Sequence, residues 1–113
     1  MSPSEAVAAP VQVVLVTAPD AEVGTRLARA VVEERLAACV NLVPGVRSIY
    51  RWAGAVQEDA EVLLVIKTRE DRVAALSRRV HELHPYELPE LIAVGVLGGS
   101  ERYLDWLRGE AAP

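Results

Sequence analysis

The chain contains no phenylalanine, and aromatic residues make up only 4% of its 113 positions. Its core must therefore be built from Val, Leu, Ile and Ala, and the five aromatics, Tyr50, Trp52, Tyr86, Tyr103 and Trp106, stand out. A single cysteine, Cys39, rules out an internal disulfide and with it a stapled secreted scaffold. Basic residues are in the minority: sixteen acids against twelve bases give a net charge of −4, and eleven of those bases are Arg scattered among Asp and Glu. Nucleic-acid affinity rests on clustered cations, and no basic stripe is present. Long apolar runs are also missing, since none reaches the ~18 residues of a membrane span. The first ten residues have neither the cationic onset nor the apolar centre of a secretory signal. These absences set the expectation of a cytoplasmic protein with no nucleic-acid and no membrane partner.

What is present suits one globular domain, with 51% hydrophobic and 25% charged residues. Residues 1–10 read as a flexible tail and residues 11–108 as the domain. Val11 to Thr17 is a β-branched run that predicts a buried strand. Pro19-Asp20 opens a helix whose stripe runs through Val23, Leu27, Ala30, Val31, Glu34 and Ala38, with Glu34 as the one acid in it. Cys39 to Val43 is a second strand; Pro44-Gly45 should bulge it before it resumes from Val46 to Trp52. Ala53-Gly54-Ala55 predicts a hairpin, and the return strand runs to Lys67 through the uniformly apolar Val62 to Ile66. Thr68 to His84 predicts a second helix, with Thr68 and Asp71 as a capping box and Pro85 as the stop. Leu91 to Leu97 is the last strand, and Ser100 caps a short amphipathic helix.

The order βαββαβ with a terminal helix predicts an α+β ferredoxin-like split βαβ sandwich. Two helices cover one sheet face, while Val62 to Ile66 is apolar on both sides. A second copy of the chain is the expected cover, and the overlong arm from Val46 to Glu61 points the same way. That arm is expected to pair edge to edge with a neighbour.

Five blocks in register resemble the CutA family of divalent-cation-tolerance proteins. They are Ala37-Ala38-Cys39-Val40-Asn41, Ser48-Ile49-Tyr50 with Trp52 and Gly54, Ile66-Lys67-Thr68, His84-Pro85-Tyr86 with Pro89-Glu90, and Tyr103-Leu104-Asp105-Trp106. The resemblance covers Val13 to Leu107. It implies a ferredoxin-like subunit, a PII-like homotrimer, and a link to copper and other divalent ions. It also implies copper ligation by a Cys at the end of the first strand and two His before Pro-Tyr. Here those positions are Val16, Leu83 and His84, so one of three donors is present. One imidazole is too few for copper or zinc, which take three or four N or S donors.

The candidate cleft residues are Cys39, Trp52, Glu61, Lys67, His84 and Tyr86, with His84 the candidate ligand for a divalent Cu or Zn ion. Several have a plainer reading. Cys39 suits a small buried residue between helix and strand, His84 suits a helix end, and Tyr50 with Trp52 suits a packed sheet surface rather than a base-stacking platform. His81 lies three residues before His84, which would place both on one helical face. Glu61 and Lys67 share one side of their strand, either as a polar pair at a cleft or as solubilising strand-end charges. Tyr86, Glu87 and Glu90 could line a crevice between subunits, and Glu61 and Glu90 are the carboxylates to consider for harder ions. No Walker loop, HExxH motif or Ser-His-Asp spacing is present. The leading expectation is a non-enzymatic trimer in divalent-metal tolerance or response, binding an unknown small ligand or metal ion in clefts between subunits. The alternative is a PII-like sensor of small molecules or anions, and last comes an enzyme using Cys39.

Overall fold

A computed structural model describes residues 8–113, so most of the expected tail lies outside the described residues. Of that tail, Ala9 and Pro10 are tied down: their carbonyls accept from Arg108 Nε at 2.8 Å and from the Glu70 amide at 2.8 Å. Strand β1 spans Val11–Ala18, α1 Ala21–Glu33, β2 Cys39–Trp52 and β3 Ala55–Arg69. A 3-10 turn, Glu70–Arg72, leads into α2, Val73–Leu83, followed by β4, Ile92–Gly95, and α3, Glu101–Glu110. The four strands form one antiparallel sheet in the order β2-β3-β1-β4.

Alternation sorts the sheet into two faces. Val14, Val16 and Ala18 of β1 and Val62, Leu64 and Ile66 of β3 are buried with Leu27, Ala28 and Val31 of α1 and Leu76 and Val80 of α2. Gly24 lets α1 come this close, since a Cβ there would meet Leu42 Cδ2 at 3.2 Å and Leu64 Cδ1 at 3.4 Å. The opposite face is covered at one end only, where Leu104 and Leu107 of α3 pack on Val11. Its centre, Leu15, Leu63 and Val65 with Ile92 and Val94, carries no layer from the described residues, and Ile92 is 54% exposed.

Several local expectations shift. Asp20 caps α1 by accepting from the Val23 amide at 2.9 Å. The helix ends at Glu33, however, so Glu34 is its C-cap and Ala38 lies beyond it. Glu34 instead receives the Arg79 guanidinium of α2 at 2.9 Å. Thr68 is not a helix cap. The β1–β3 ladder continues to Arg69 opposite Val11, and the Thr68 hydroxyl, fully buried, donates to the Leu36 carbonyl at 2.7 Å. Pairing to β1 fixes more backbone here than a cap would, so the helix starts five residues later. The register between β2 and β3 does break between Val43 and Val46, at Pro44-Gly45. Trp52 faces Ala55 across a two-residue turn in which Ala53 has φ 52° and Gly54 φ 79°. The last strand is four residues rather than seven, although the Val96 amide still reaches the Val11 carbonyl at 3.1 Å.

Candidate functional site

Beyond the bulge, β2 and β3 leave the sheet as an exposed two-stranded arm, and the segment after α2 returns beneath it. Between them lies an open groove of about 940 Å³. Its walls include Thr17, Ser48, Tyr50, Trp52, Asp59, Glu61 and Tyr86, with Glu87 and Glu90 on the loop side. Among the described residues, four carboxylates line it and no Arg or Lys does.

His84 is the C-cap of α2, with extended backbone at φ −76° and ψ 137° because Pro85 disfavours a helical residue before it. The imidazole is 7% exposed. Its Nε2 lies 2.7 Å from the Thr17 carbonyl at the end of β1, and its Nδ1 accepts from the Tyr86 amide at 3.1 Å. Neither nitrogen has a lone pair left for a metal. The Tyr86 ring tilts against the imidazole with centroids 4.6 Å apart, and its hydroxyl donates to Glu61 Oε2 at 2.9 Å. Glu61 is itself 8% exposed. Burial first, and then this bond, push the Tyr86 phenol well above the usual tyrosine range. On the arm, the Tyr50 hydroxyl donates to Asp59, which raises its pKa as well.

Of the six expected cleft residues, the structure therefore brings Glu61, His84 and Tyr86 into one hydrogen-bonded cluster and places Trp52 at the outer wall of the same groove. Cys39 and Lys67 lie elsewhere. They face each other in the β2–β3 ladder, and Cys39 helps burial raise the pKa of Tyr103 on α3. Glu61 and Lys67 share a face but stand six residues apart, about 20 Å along a strand, and are not a pair. His81 and His84 do not share a helical face: His81 is exposed on α2 with Nδ1 2.7 Å from the Ser77 carbonyl, and His84 is past the helix end. Val16, at one attributed ligand position, is fully buried in the core, and Leu83, at another, packs against it. Among the described residues no group of three or more His, Cys, Asp or Glu is arranged to hold a metal ion. The described residues of one chain thus do not fit a copper or zinc centre. Sequence reasoning missed the Thr17 carbonyl, a backbone acceptor that carries no side-chain signal.

Residues 12–110 match the family described as CutA1 divalent ion tolerance protein. A Divalent-cation tolerance protein CutA of Thermus thermophilus is 55% identical over 97 residues, covering 86% of this chain and 94% of the relative. The chloroplastic Protein CutA of Arabidopsis thaliana is 51% identical over 96 residues, and that match spans only 53% of its length. Among solved structures, the divalent cation tolerance protein (Cut A1) of Thermus thermophilus superposes with a TM-score of 0.89 at 52% identity, covering 90% of this chain and 99% of that one. Five sequence blocks, the four-stranded sheet and these matches converge: the chain belongs to the CutA1 divalent ion tolerance family.

Proposed function

We propose that the protein serves divalent-cation tolerance, copper included, as a non-enzymatic cytoplasmic homotrimer that holds its ligand where subunits meet. The strand order β2-β3-β1-β4, with α1 and α2 on one face, supports the ferredoxin-like, PII-like subunit that such a trimer needs. The observation that carries the reading is the half-covered sheet. Leu63, Val65, Ile92 and Val94 form an apolar face with no covering layer among the described residues, and the arm projects Ile49, Val56 and Trp52 into solvent. A second copy, held by ring closure, would bury both. Because the described residues of one chain do not assemble a metal centre, ion binding in this reading draws donors from more than one subunit, with Glu61 and Glu90 as groove carboxylates suited to the harder ions.

The test is native mass spectrometry and sedimentation of wild type and Trp52→Asp, followed by calorimetry with copper and zinc. The wild type is expected as a trimer at micromolar concentration, and Trp52→Asp should weaken association by about 2 kcal/mol or more, as for a buried interface aromatic. A monomeric wild type would overturn the assembly. A trimer that takes up neither ion would favour the second reading, a PII-like small-molecule sensor. Two observations support that alternative: both His84 nitrogens are engaged, and the groove is already formed within one chain. With Asp59, Glu61, Glu87 and Glu90 along it and no base, the groove selects for neutral or cationic ligands over anions.

A further inference from the structure

We infer that His84 is a positioning residue, a neutral imidazole clamped between two backbone groups that sets the loop wall of the groove and is closed to metal ions. The two partners dictate its protonation. The Thr17 carbonyl, 2.7 Å from Nε2, can only accept, so Nε2 carries the proton. The Tyr86 amide, 3.1 Å from Nδ1, can only donate, so Nδ1 presents its lone pair. A neutral imidazole offers a metal one lone pair, and here it is spent on the Tyr86 amide. Coordination through Nδ1 would break the loop contact, and coordination through Nε2 would require its proton to leave and the bond to β1 to break.

The clamp joins three elements at one point. The His84 amide caps α2 on the Val80 carbonyl at 2.8 Å, its Nε2 holds the end of β1, and its Nδ1 turns the chain so that the Tyr86 ring lies on the imidazole. From there the Tyr86 hydroxyl reaches Glu61 on β3. The bond from the amide of residue 86 back to a side chain at 84 has the span of an Asx turn, the local device that orders a tight loop. The groove's loop wall is therefore located by His84 through Tyr86.

The test reads the ring and the loop separately. Long-range proton–nitrogen spectra of the wild type at neutral pH should show the Nε2-protonated tautomer at His84. One equivalent of zinc per chain should leave those ring resonances in place. Asparagine offers a carbonyl oxygen where Nδ1 sits, whereas glutamine reaches the Thr17 carbonyl and alanine supplies neither. Tyr86 amide exchange should thus stay near the wild-type rate in His84→Asn and rise about tenfold in His84→Gln and His84→Ala, the loss expected for one hydrogen bond. An Nδ1-protonated ring, or zinc-induced shifts at His84, would overturn the inference. So would a Tyr86 amide as protected in His84→Ala as in the wild type. If His84→Ala does not fold, the wild-type tautomer and zinc spectra still decide the matter.

Discussion

Thr68 carries one buried hydroxyl, and that hydroxyl satisfies the Leu36 carbonyl where the chain emerges from α1. Thr68→Val keeps the shape and removes the donor, which should cost about 1–3 kcal/mol in urea unfolding, while Thr68→Ser should recover most of it. The three tyrosines make a second residue-scale prediction. Burial and Glu61 raise the pKa of Tyr86, the bond to Asp59 raises that of Tyr50, and burial beside Cys39 raises that of Tyr103. Below the ordinary phenol pKa of about 10, both folded and unfolded chains keep these protons, so this contribution to stability is fully present. As the pH rises past it, the unfolded chain releases protons that the folded chain retains, and stability falls. Phenolate absorbance at that pH should therefore be weaker in the folded protein than in denaturant. Tyr86→Phe should flatten the alkaline loss of thermal stability. Sequence pattern pointed to His84, Tyr86 and Glu61, the first two through the His84-Pro85-Tyr86 block and the third through the side of its strand that it occupies. It gave no hint that a main-chain carbonyl at Thr17 would complete the cluster, and it mistook Thr68 for a cap because caps and buried hydroxyls use the same residue types.

At the scale of elements, the hairpin turn bears a cost. Its two-residue form needs positive φ at both central positions, and Ala53 adopts 52° without the freedom of Gly54. Ala53→Gly should therefore stabilise the chain by about 1 kcal/mol, read as a higher urea midpoint at unchanged slope. The helices and long strands were legible because their apolar periods differ. Val23, Leu27 and Val31 repeat at helical spacing, whereas Val11 to Thr17 is a short continuous apolar run. Boundaries were less so. The stripe seemed to run on past Glu33 because Ala38 is half-buried against Val11, Leu104 and Leu107 in the connection that follows, by tertiary packing that a helical period cannot distinguish from helix. Glu34, which looked like a flaw in the stripe, is the point at which α2 holds the end of α1 through Arg79.

As a whole the molecule is drawn out, with extents of 54 × 25 × 22 Å and a radius of gyration of 15.3 Å. A compact domain of this length would have a radius near 13 Å. The excess comes with an arm that leaves the sheet at the bulge, and the arm has consequences for how the protein is made. A two-stranded ribbon alone is marginal in water. The contacts within the sheet and its two covering helices are intramolecular and form at a rate set by the chain itself. If the arm is ordered by a second copy, as proposed, it is acquired in a later, bimolecular step. Refolding followed by Trp52 fluorescence (with Trp106→Phe to silence the other indole) should then show a phase that quickens in proportion to protein concentration. Amide protection in β1 and α1 should appear in a phase that does not. Freshly synthesised chains would pass through an interval with Ile49, Val56 and Trp52 bare, and the length of that interval would shrink as the cell accumulates the protein.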